Sequence, residues 1–371
     1  MEFTVSKADL VRELSLSQGV VEKKTTIPIL SNVLLEASGD CVMLTATDLE
    51  LGVRCLCPAR VKKEGAGTVP ARKLIDYVRL LPEGDVQMKF LENHWVSITC
   101  GRSKTRIAGM SRDSFPELPR MPEPIAEIPV KSLASLIMRT SFAISLEESR
   151  FTLSGALLLL RPDSITMVAT DGHRLAYVQT PCENPNVGQQ FRALIPKKAM
   201  GELVKLADDA ADGAKAAFAG DENHLFFKVG DRLLLTRKLT GNFPDYERVL
   251  PKDHTLIAKL QKDEIRAAIE RVAQFADERS RAIRVQFTEG EVKVFSSSVE
   301  MGESEETVSA EYSGPDLEIG FNAQYLLDFL RAAAQEHIAF ELKDQKSAGE
   351  MRPAGEAAPD QYRYVVMPMR I

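Results

Sequence analysis

Apolar residues recur at helical spacing in three segments that follow one another along the chain at a constant interval. The segments begin at Pro70, Pro196 and Asn322, each 126 residues after the one before. In the first segment Leu74 and Val78 are four residues apart and fall on one face of a helix. A period this long predicts tandem copies of one small unit.

Other marks recur at nearly the same interval. Ala-Thr-Asp triplets begin at Ala46 and Ala169, and Phe-Pro pairs begin at Phe115 and Phe243. Each Phe-Pro pair opens a proline-rich stretch, which is typical of a linker. The sequence therefore predicts three domains, an N-terminal one at 1–125, a central one at 126–253 and a C-terminal one at 254–371.

The order of patterns within each predicted domain is also similar. An amphipathic segment opens each copy, at 6–20, 130–144 and 262–276, and strand-like runs rich in Val, Leu, Ile and Thr follow before and after the second helix. This order predicts an α+β fold with two helices and antiparallel sheets in each of three tandem, similar domains. Repetition of one small domain favours a curved surface or a ring over an enzyme.

Composition excludes several classes of protein. Of 371 residues, 44% are apolar and 27% charged, as in ordinary globular proteins. The apolar runs are too short to span a bilayer, and the start of the chain lacks the pattern of a signal peptide. The five cysteines form no CxxC pair. We expect reduced thiols, a cytoplasmic location and no membrane partner.

Charge is distributed unevenly along the chain. The net charge is −6, whereas a DNA-binding protein that acts through a basic patch is usually basic. Residues 253–371 carry 14 basic and 22 acidic side chains, and the rest of the chain is nearly balanced. This acidic end suggests head-to-tail association with a basic surface. The second helix of the first domain presents Arg72, Asp76 and Arg79 on one face. The stripe is either a solvated helix face or a diffuse lining that contacts phosphates without reading bases.

Candidate catalytic chemistry is sparse. The sequence has no P-loop or GxGxxG motif, and its five histidines lack metal-ligand spacing, so we expect no catalytic residue, cofactor or metal. Asp171 and His173 allow two interpretations. They either flank a tight turn in which Gly172 supplies a positive φ, or they serve as the acid and base of a phosphoester hydrolase.

Several motifs in order along the chain carry a family resemblance. The run Ala169–Leu175 reads ATDGHRL, the chain ends in YVVMPMRI, and FPDY begins at Phe243. Together they resemble the bacterial DNA polymerase III beta subunit family, the sliding clamps. The resemblance implies a DNA clamp fold that closes into a homodimeric ring of six domains around double-stranded DNA. It also implies a sequence-independent processivity factor that is not itself catalytic. The implied partners are the polymerase III alpha subunit, the clamp loader, and other polymerases and repair proteins that carry short linear motifs.

The resemblance also implies two sets of site residues, and the charges along the chain predict a third set at the dimer interface. The peptide-binding pocket would comprise Leu153, Thr170, Gly172, His173, Arg174, Leu175, Pro244, Arg248, Val249, Asn322, Tyr325, Ser347, Val365, Met367, Pro368, Met369 and Arg370. The DNA-facing residues would be Lys24, Arg72, Arg79, Lys197 and Lys198. Across the dimer interface, basic Arg102, Lys104 and Arg106 would meet acidic Glu300, Glu303 and Glu305, with an apolar contact between Ile107 and Phe275. The segment 344–360, rich in Ala, Gly and Pro, is expected to be a surface loop.

Overall fold

Each third of the chain repeats one order of elements in the computed structural model: a strand, a helix, a set of strands, a second helix and three strands. The structure describes residues 1–21, 26–147, 149–184, 186–188, 190–298, 302–355 and 360–370. The first third contains β1 (Glu2–Ser6), α1 (Lys7–Ser17), β2 (Asn32–Ser38), β3 (Cys41–Thr47), β4 (Leu51–Pro58), β5 (Arg60–Lys63), β6 (Gly65–Pro70), α2 (Ala71–Leu80), β7 (Asp85–Phe90), β8 (Trp95–Cys100) and β9 (Ser103–Ala108). The middle third contains β10 (Ala126–Pro129), α3 (Val130–Thr140), β11 (Gly155–Arg161), β12 (Ser164–Thr170), β13 (Arg174–Pro181), β14 (Phe191–Pro196), α4 (Lys197–Asp208), β15 (Lys215–Gly220), β16 (His224–Val229) and β17 (Arg232–Arg237). The last third contains β18 (Leu256–Gln261), α5 (Lys262–Val272), β19 (Ala282–Thr288), β20 (Glu291–Ser298), β21 (Gly302–Glu311), β22 (Leu317–Asn322), α6 (Ala323–Ala332), β23 (His337–Leu342), β24 (Gly349–Ala354) and β25 (Gln361–Val366).

The predicted helices are confirmed, with shorter ends. Helix α3 and helix α5 each stop four residues before the predicted limit, because the chain continues there as 3-10 turns at Ser141–Ala143 and Ala273–Phe275. A short strand precedes each opening helix, at β1, β10 and β18. Strands of only four to six residues are too short for their alternation to stand out in the sequence.

The starts of several helices are fixed by side chains that accept hydrogen bonds from free backbone N–H groups. Ser6 accepts from the N–H of Asp9 at the start of α1. Asn322 accepts from two N–H groups at the start of α6, including that of Tyr325. These contacts satisfy donors that have no partner inside the helix.

One part of the chain, here called unit 1, comprises residues 1–134 and 198–238. It contains a five-stranded sheet, ordered β5-β1-β7-β8-β9, and an eight-stranded sheet, ordered β10-β15-β16-β17-β4-β3-β2-β6. The eight-stranded sheet joins the first and middle thirds of the chain, because β4 pairs with β17 and sets Gly52 opposite Leu235. The fully buried side chains of unit 1 include Phe3, Phe226 and Phe227.

The other part, unit 2, comprises residues 135–197 and 239–371. Its single twelve-stranded sheet is ordered β14-β11-β12-β13-β25-β24-β23-β18-β21-β20-β19-β22. Strands β13 and β25 join the middle and last thirds, with Leu175 opposite Val365. Phe329 stacks on the fully buried Tyr364 with ring centroids 5.2 Å apart. Burying each such side chain stabilises the fold by about 1.5–3 kcal/mol.

The prediction of a loop throughout 344–360 is wrong. Residues Gly349–Ala354 form β24, which pairs with β23 on one side and β25 on the other. The neighbouring strands supply the hydrogen-bonding partners, so this segment is extended despite its Gly and Pro content.

Candidate functional site

The turn between β12 and β13 is held by its own side chains. The Thr170 hydroxyl donates to the carbonyl oxygen of Arg174 at 2.6 Å and accepts from the N–H of Gly172 at 3.1 Å. The Asp171 Oδ1 accepts from the N–H of His173 at 3.0 Å and from that of Arg174 at 3.1 Å. Gly172 has φ +90°, which residues with a Cβ rarely adopt. The tight-turn interpretation is therefore confirmed, and the Asp171 carboxylate is engaged in the turn rather than free to act as an acid or base.

Arg174 connects this turn to two other segments of unit 2. Its guanidinium pairs with Asp171 (Nε to Oδ2, 3.0 Å) and with Asp328 of α6 (2.5 Å), and donates to the Phe142 carbonyl oxygen at 2.6 Å. The guanidinium also lies 4.3 Å from the centroid of the Tyr325 ring. The Arg174 side chain is only 10% exposed, so this buried network fixes the turn against α6.

A small apolar cavity of about 120 Å³ opens beside this turn. Its lining residues are Leu153, Thr170, Gly172, His173, Arg174, Leu175, Pro244, Tyr246, Val249, Val365 and Met367. Leu175 and Val365 are 1% exposed and form its floor, whereas Val249 and Met367 are 43% and 45% exposed at its mouth. A space of this size accepts one apolar side chain of a ligand rather than a whole drug-sized molecule.

The end of the chain forms one wall of the cavity. The N–H of Met367 donates to the carbonyl oxygen of His173 at 2.9 Å, and the N–H of Met369 donates to that of Gly320 at 2.8 Å. The tail is therefore attached both to the turn after β12 and to β22.

Ten of the residues predicted for the pocket line this cavity, and the remaining seven lie outside its lining. These seven are Arg248, Asn322, Tyr325, Ser347, Pro368, Met369 and Arg370. Arg248 is exposed and pairs with Asp245 at 2.8 Å. Asn322 is occupied as the cap of α6, and Ser347 donates its hydroxyl to Asp344. Tyr246 lines the cavity although it was not predicted to do so, and its place in the FPDY motif was the signal that could have identified it.

The residues predicted to face DNA are partly engaged within the chain. Lys198 pairs with the Asp48 carboxylate and donates to the Val20 carbonyl oxygen at 3.4 Å, and Arg72 donates to the Val21 carbonyl oxygen at 3.2 Å. These two cations thus converge on the segment that follows α1.

The other three predicted DNA-facing residues differ from one another. Arg79 is exposed and donates to the Ser15 hydroxyl and the Gln18 side-chain oxygen, and Lys197 is exposed at the start of α4. Lys24 lies outside the described residues.

The charged residues predicted for a dimer interface lie on two strands with open edges. In the described part of the chain β9 pairs only with β8, and residues 302–309 of β21 pair only with β20. Arg102, Lys104 and Arg106 are exposed on or beside β9, and Glu303 and Glu305 lie on β21. Glu300 lies outside the described residues.

The apolar contact predicted for that interface has less support. Ile107 is 4% exposed, which leaves little of its side chain for a partner. Phe275 is half-buried in the turn after α5.

One group of possible metal ligands occurs among the described residues. Side-chain atoms of His254, Glu341 and Glu350 lie within 4.8 Å of one another. The fully buried Glu350 carboxylate, however, accepts from Arg352 at 2.7 Å and from Arg363 at 2.5 and 2.7 Å. Two guanidinium groups disfavour a cation there, so the group forms a buried ion-pair network.

Three family models match the chain in succession. They describe the N-terminal domain (residues 1–119), the central domain (127–245) and the C-terminal domain (247–370) of the DNA polymerase III beta subunit. The chain belongs to the DNA polymerase III beta subunit family, the beta sliding clamps. This family consists of processivity factors rather than enzymes, so the hydrolase interpretation of Asp171 and His173 is set aside.

Individual sliding clamps resemble the chain over its whole length. The beta sliding clamp of Pseudomonas aeruginosa is 36% identical, and that of Escherichia coli strain K12 is 32% identical, each with 100% of both chains covered. A crystal structure of the DNA polymerase III subunit beta from Pseudomonas aeruginosa matches with a TM-score of 0.93 and 34% identity, again over 100% of both chains. No helix among the described residues has the length and apolar character needed to cross a membrane.

Proposed function

We propose that two copies of this chain close into a ring that encircles duplex DNA and slides along it without reading its sequence. The open edges of β9 and β21 carry this proposal. An exposed strand edge is prone to pair with another chain, and these two edges have opposite charge. Pairing β9 of one protomer with β21 of its partner covers both edges at once.

The charges on the two strands support the pairing of β9 with β21. In the described part of the chain Arg102, Lys104 and Arg106 make no ion pair, and neither does Glu303 on β21. Glu305 pairs with Lys293 of the adjacent strand at 3.0 Å, so it is partly neutralised already. Each exposed pair contributes about 0–1 kcal/mol, so the charges set the orientation of the two edges more than the strength of the dimer.

We propose the domain boundaries 1–125, 126–253 and 254–371 on the repeated order of elements. Each proposed domain begins with a short strand and helix and ends with three strands after its second helix. Two such chains supply six similar domains to the ring.

Contacts with DNA would be few and directed to phosphates. Arg72, Arg79, Lys197 and Lys198, with Lys24, are the proposed contacts. The Asp48 carboxylate already neutralises Lys198 in the free chain, so this contact would be weak. Weak contacts suit a protein with a net charge of −6 that stays on DNA by topology rather than by affinity.

We propose that the cavity beside the β12–β13 turn receives the short linear motifs of the polymerase III alpha subunit, the clamp loader, and other polymerases and repair proteins. An apolar floor with polar groups at its rim suits one Leu or Phe anchor of such a peptide. The predicted pocket residues outside the cavity lining would contact the rest of the peptide. A cytoplasmic location remains a prediction from the sequence.

Topological retention tests the ring directly. A fluorescently labelled chain is loaded by a clamp loader onto a nicked circular duplex, and its retention is followed by gel filtration before and after the circle is cut. We expect retention on the circle, rapid loss from the linear product, and restored retention when the linear ends are blocked with bound streptavidin. Equal retention on open linear and circular DNA would contradict encirclement.

A further inference from the structure

The face of the eight-stranded sheet in unit 1 carries a second and larger cavity, of about 580 Å³. It lies between strands β2 to β4 and the linker after β9. Its lining residues are Leu34, Glu36, Met43, Thr45, Arg54, Arg112, Asp113, Phe115, Pro116, Glu117, Leu118 and Arg120.

Two polar side chains at the floor of this cavity have no partner among the described residues. Thr45 is 2% exposed, and its hydroxyl oxygen is buried without a hydrogen bond. Arg54 lies directly opposite Thr45 on the neighbouring strand, its Nε is buried, and its guanidinium makes no hydrogen bond or ion pair within the described residues. Arg54 as a whole is half-buried, but leaving its Nε and the Thr45 hydroxyl buried and unpaired destabilises the fold.

The internal repeat shows which residues occupy the equivalent positions in a well-packed apolar core. The cross-strand row Leu34, Thr45, Arg54 corresponds, 123 residues later, to the row Leu157, Val168, Tyr177 of unit 2. All three of the later residues belong to one buried apolar cluster.

The linker segments that cover these two rows of residues also differ, because one supplies an aromatic contact and the other does not. In unit 2 the linker residue Tyr246 packs on Tyr177 with ring centroids 5.9 Å apart. In unit 1 the corresponding linker residue is Leu118, and an open polar cavity replaces that aromatic pair. A local break of the packing rule at two facing positions is typical of a binding site. The comparison uses only the geometry of unit 2, so it does not depend on what the other cavity binds.

We propose that this cavity, here called the Arg54 site, binds a short segment of a partner protein that places one carboxylate on Arg54 and Thr45. A guanidinium and a hydroxyl together donate the charge-assisted hydrogen bonds that a carboxylate accepts. Arg120, at the rim, makes no ion pair within the described residues and adds a second cation.

The rest of the lining selects against a polyanion. Three arginines are balanced by Glu36, Asp113 and Glu117, so the cavity has no excess positive charge to attract DNA or a polyphosphate. Glu117 makes no ion pair within the described residues and suits a basic residue of the same segment. Phe115 and Leu34, each 8% exposed, supply an apolar surface for a neighbouring aliphatic side chain.

The test uses the full-length protein labelled with ¹³C at its methionine methyl groups, with Met43 as the reporter in the cavity. The probes are the peptide acetyl-Leu-Asp-Lys-amide and its matched amide, acetyl-Leu-Asn-Lys-amide. We expect a saturable shift of the Met43 resonance with the Asp peptide and about tenfold weaker binding of the Asn peptide. We also expect at least tenfold weaker binding of the Asp peptide to Arg54→Gln. Arg60→Ala, which removes an exposed ion pair with Asp85 outside the cavity, is the control and should bind normally.

A second measurement separates a binding role from a structural one. If Thr45 and Arg54 are unpaired in the free protein, Thr45→Val and Arg54→Leu should each raise the urea midpoint. Lower midpoints would show that both side chains serve the fold and would overturn the proposal. It would also be overturned by equal binding of the Asp and Asn peptides, or by saturation with sodium acetate at the same affinity as the Asp peptide.

Discussion

Ending the chain after Val366 should weaken peptide binding strongly while leaving the fold in place. The deleted segment contributes one wall of the small cavity in unit 2, through Met367, and two backbone hydrogen bonds. Strand β25 is kept in full, and its last residues Tyr364, Val365 and Val366 stay paired with β13. The variant therefore separates the cavity wall from the sheet that supports it.

The structure sets the size of both effects. Two backbone hydrogen bonds contribute about 1 kcal/mol each to stability, and Met367 is 45% exposed, so unfolding should become easier by about 2–3 kcal/mol. A domain that is stable by roughly 5–15 kcal/mol remains folded after such a loss. For the peptide, loss of one anchor contact costs about 2 kcal/mol, which weakens binding by about 30-fold.

Fluorescence polarisation with a labelled peptide from the tail of a polymerase III alpha subunit measures the binding. Sedimentation and urea unfolding check the dimer and the fold of the same samples. The matched control ends after Arg370, which keeps both hydrogen bonds of the tail and all the predicted pocket residues and should bind within about threefold of the full chain. If the chain that ends after Val366 stays folded and dimeric and binds the peptide as well as the control, the placement of the site is wrong.

Three further predictions concern the interface, the buried network and the thiols. Replacing Arg102 and Arg106 by Glu should raise the dimer dissociation constant in sedimentation equilibrium, more strongly at low salt, and an unchanged constant would contradict the edge pairing. Arg174→Met should lower stability to urea by about 2–4 kcal/mol, because it leaves two mostly buried carboxylates without their cation, and a loss below 1 kcal/mol would argue against the network. Burial raises the pKa of Cys57 to about 12, so iodoacetamide at pH 8 should spare it in the folded protein, while half-exposed Cys41 reacts; equal rates would refute this.

The helices could be predicted from the sequence because their signal is local and repeated. The apolar spacing of Leu74 and Val78 is sufficient to identify α2, and the 126-residue interval supplies the equivalent helices. Strand β24 could not be found in this way. Its sequence, GEMRPA, has little strand preference, and it is extended because β23 and β25 lie on either side of it.

The candidate site likewise contains features that the sequence could predict and features that it could not. The turn at Asp171 and Gly172 could be predicted because adjacent residues determine it, whereas the place of Thr170 to Leu175 in a pocket was implied by the family resemblance. Tyr246 comes from a segment that is distant in sequence from the turn, and only its place in the FPDY motif could have indicated its role. Asn322 and Ser347 instead make local contacts, with Tyr325 and Asp344, which the resemblance did not take into account.

The two Ala-Thr-Asp turns show how one backbone supports different surfaces. In the earlier turn Thr47 and Asp48 make the same set of hydrogen bonds as Thr170 and Asp171. They hold Leu49 at φ 79°, where its counterpart is Gly172 at φ 90°. A non-glycine residue in this region costs roughly 1 kcal/mol or more, so the threonine and aspartate contacts determine the turn even without glycine.

Beyond each of the two turns, the neighbouring side chains determine whether an apolar cavity is present. Leu175 forms the floor of the small cavity in unit 2, and its counterpart in unit 1 is Gly52. A Cβ at Gly52 would lie 3.2 Å from the Leu118 side chain, which therefore occupies the space that a larger residue would need. In unit 1 this space is thus taken by the linker residue Leu118 together with Leu235 of β17. The unpaired polar groups Thr45 and Arg54 lie further along the same strands, so the Arg54 site would recognise a ligand mainly through polar contacts.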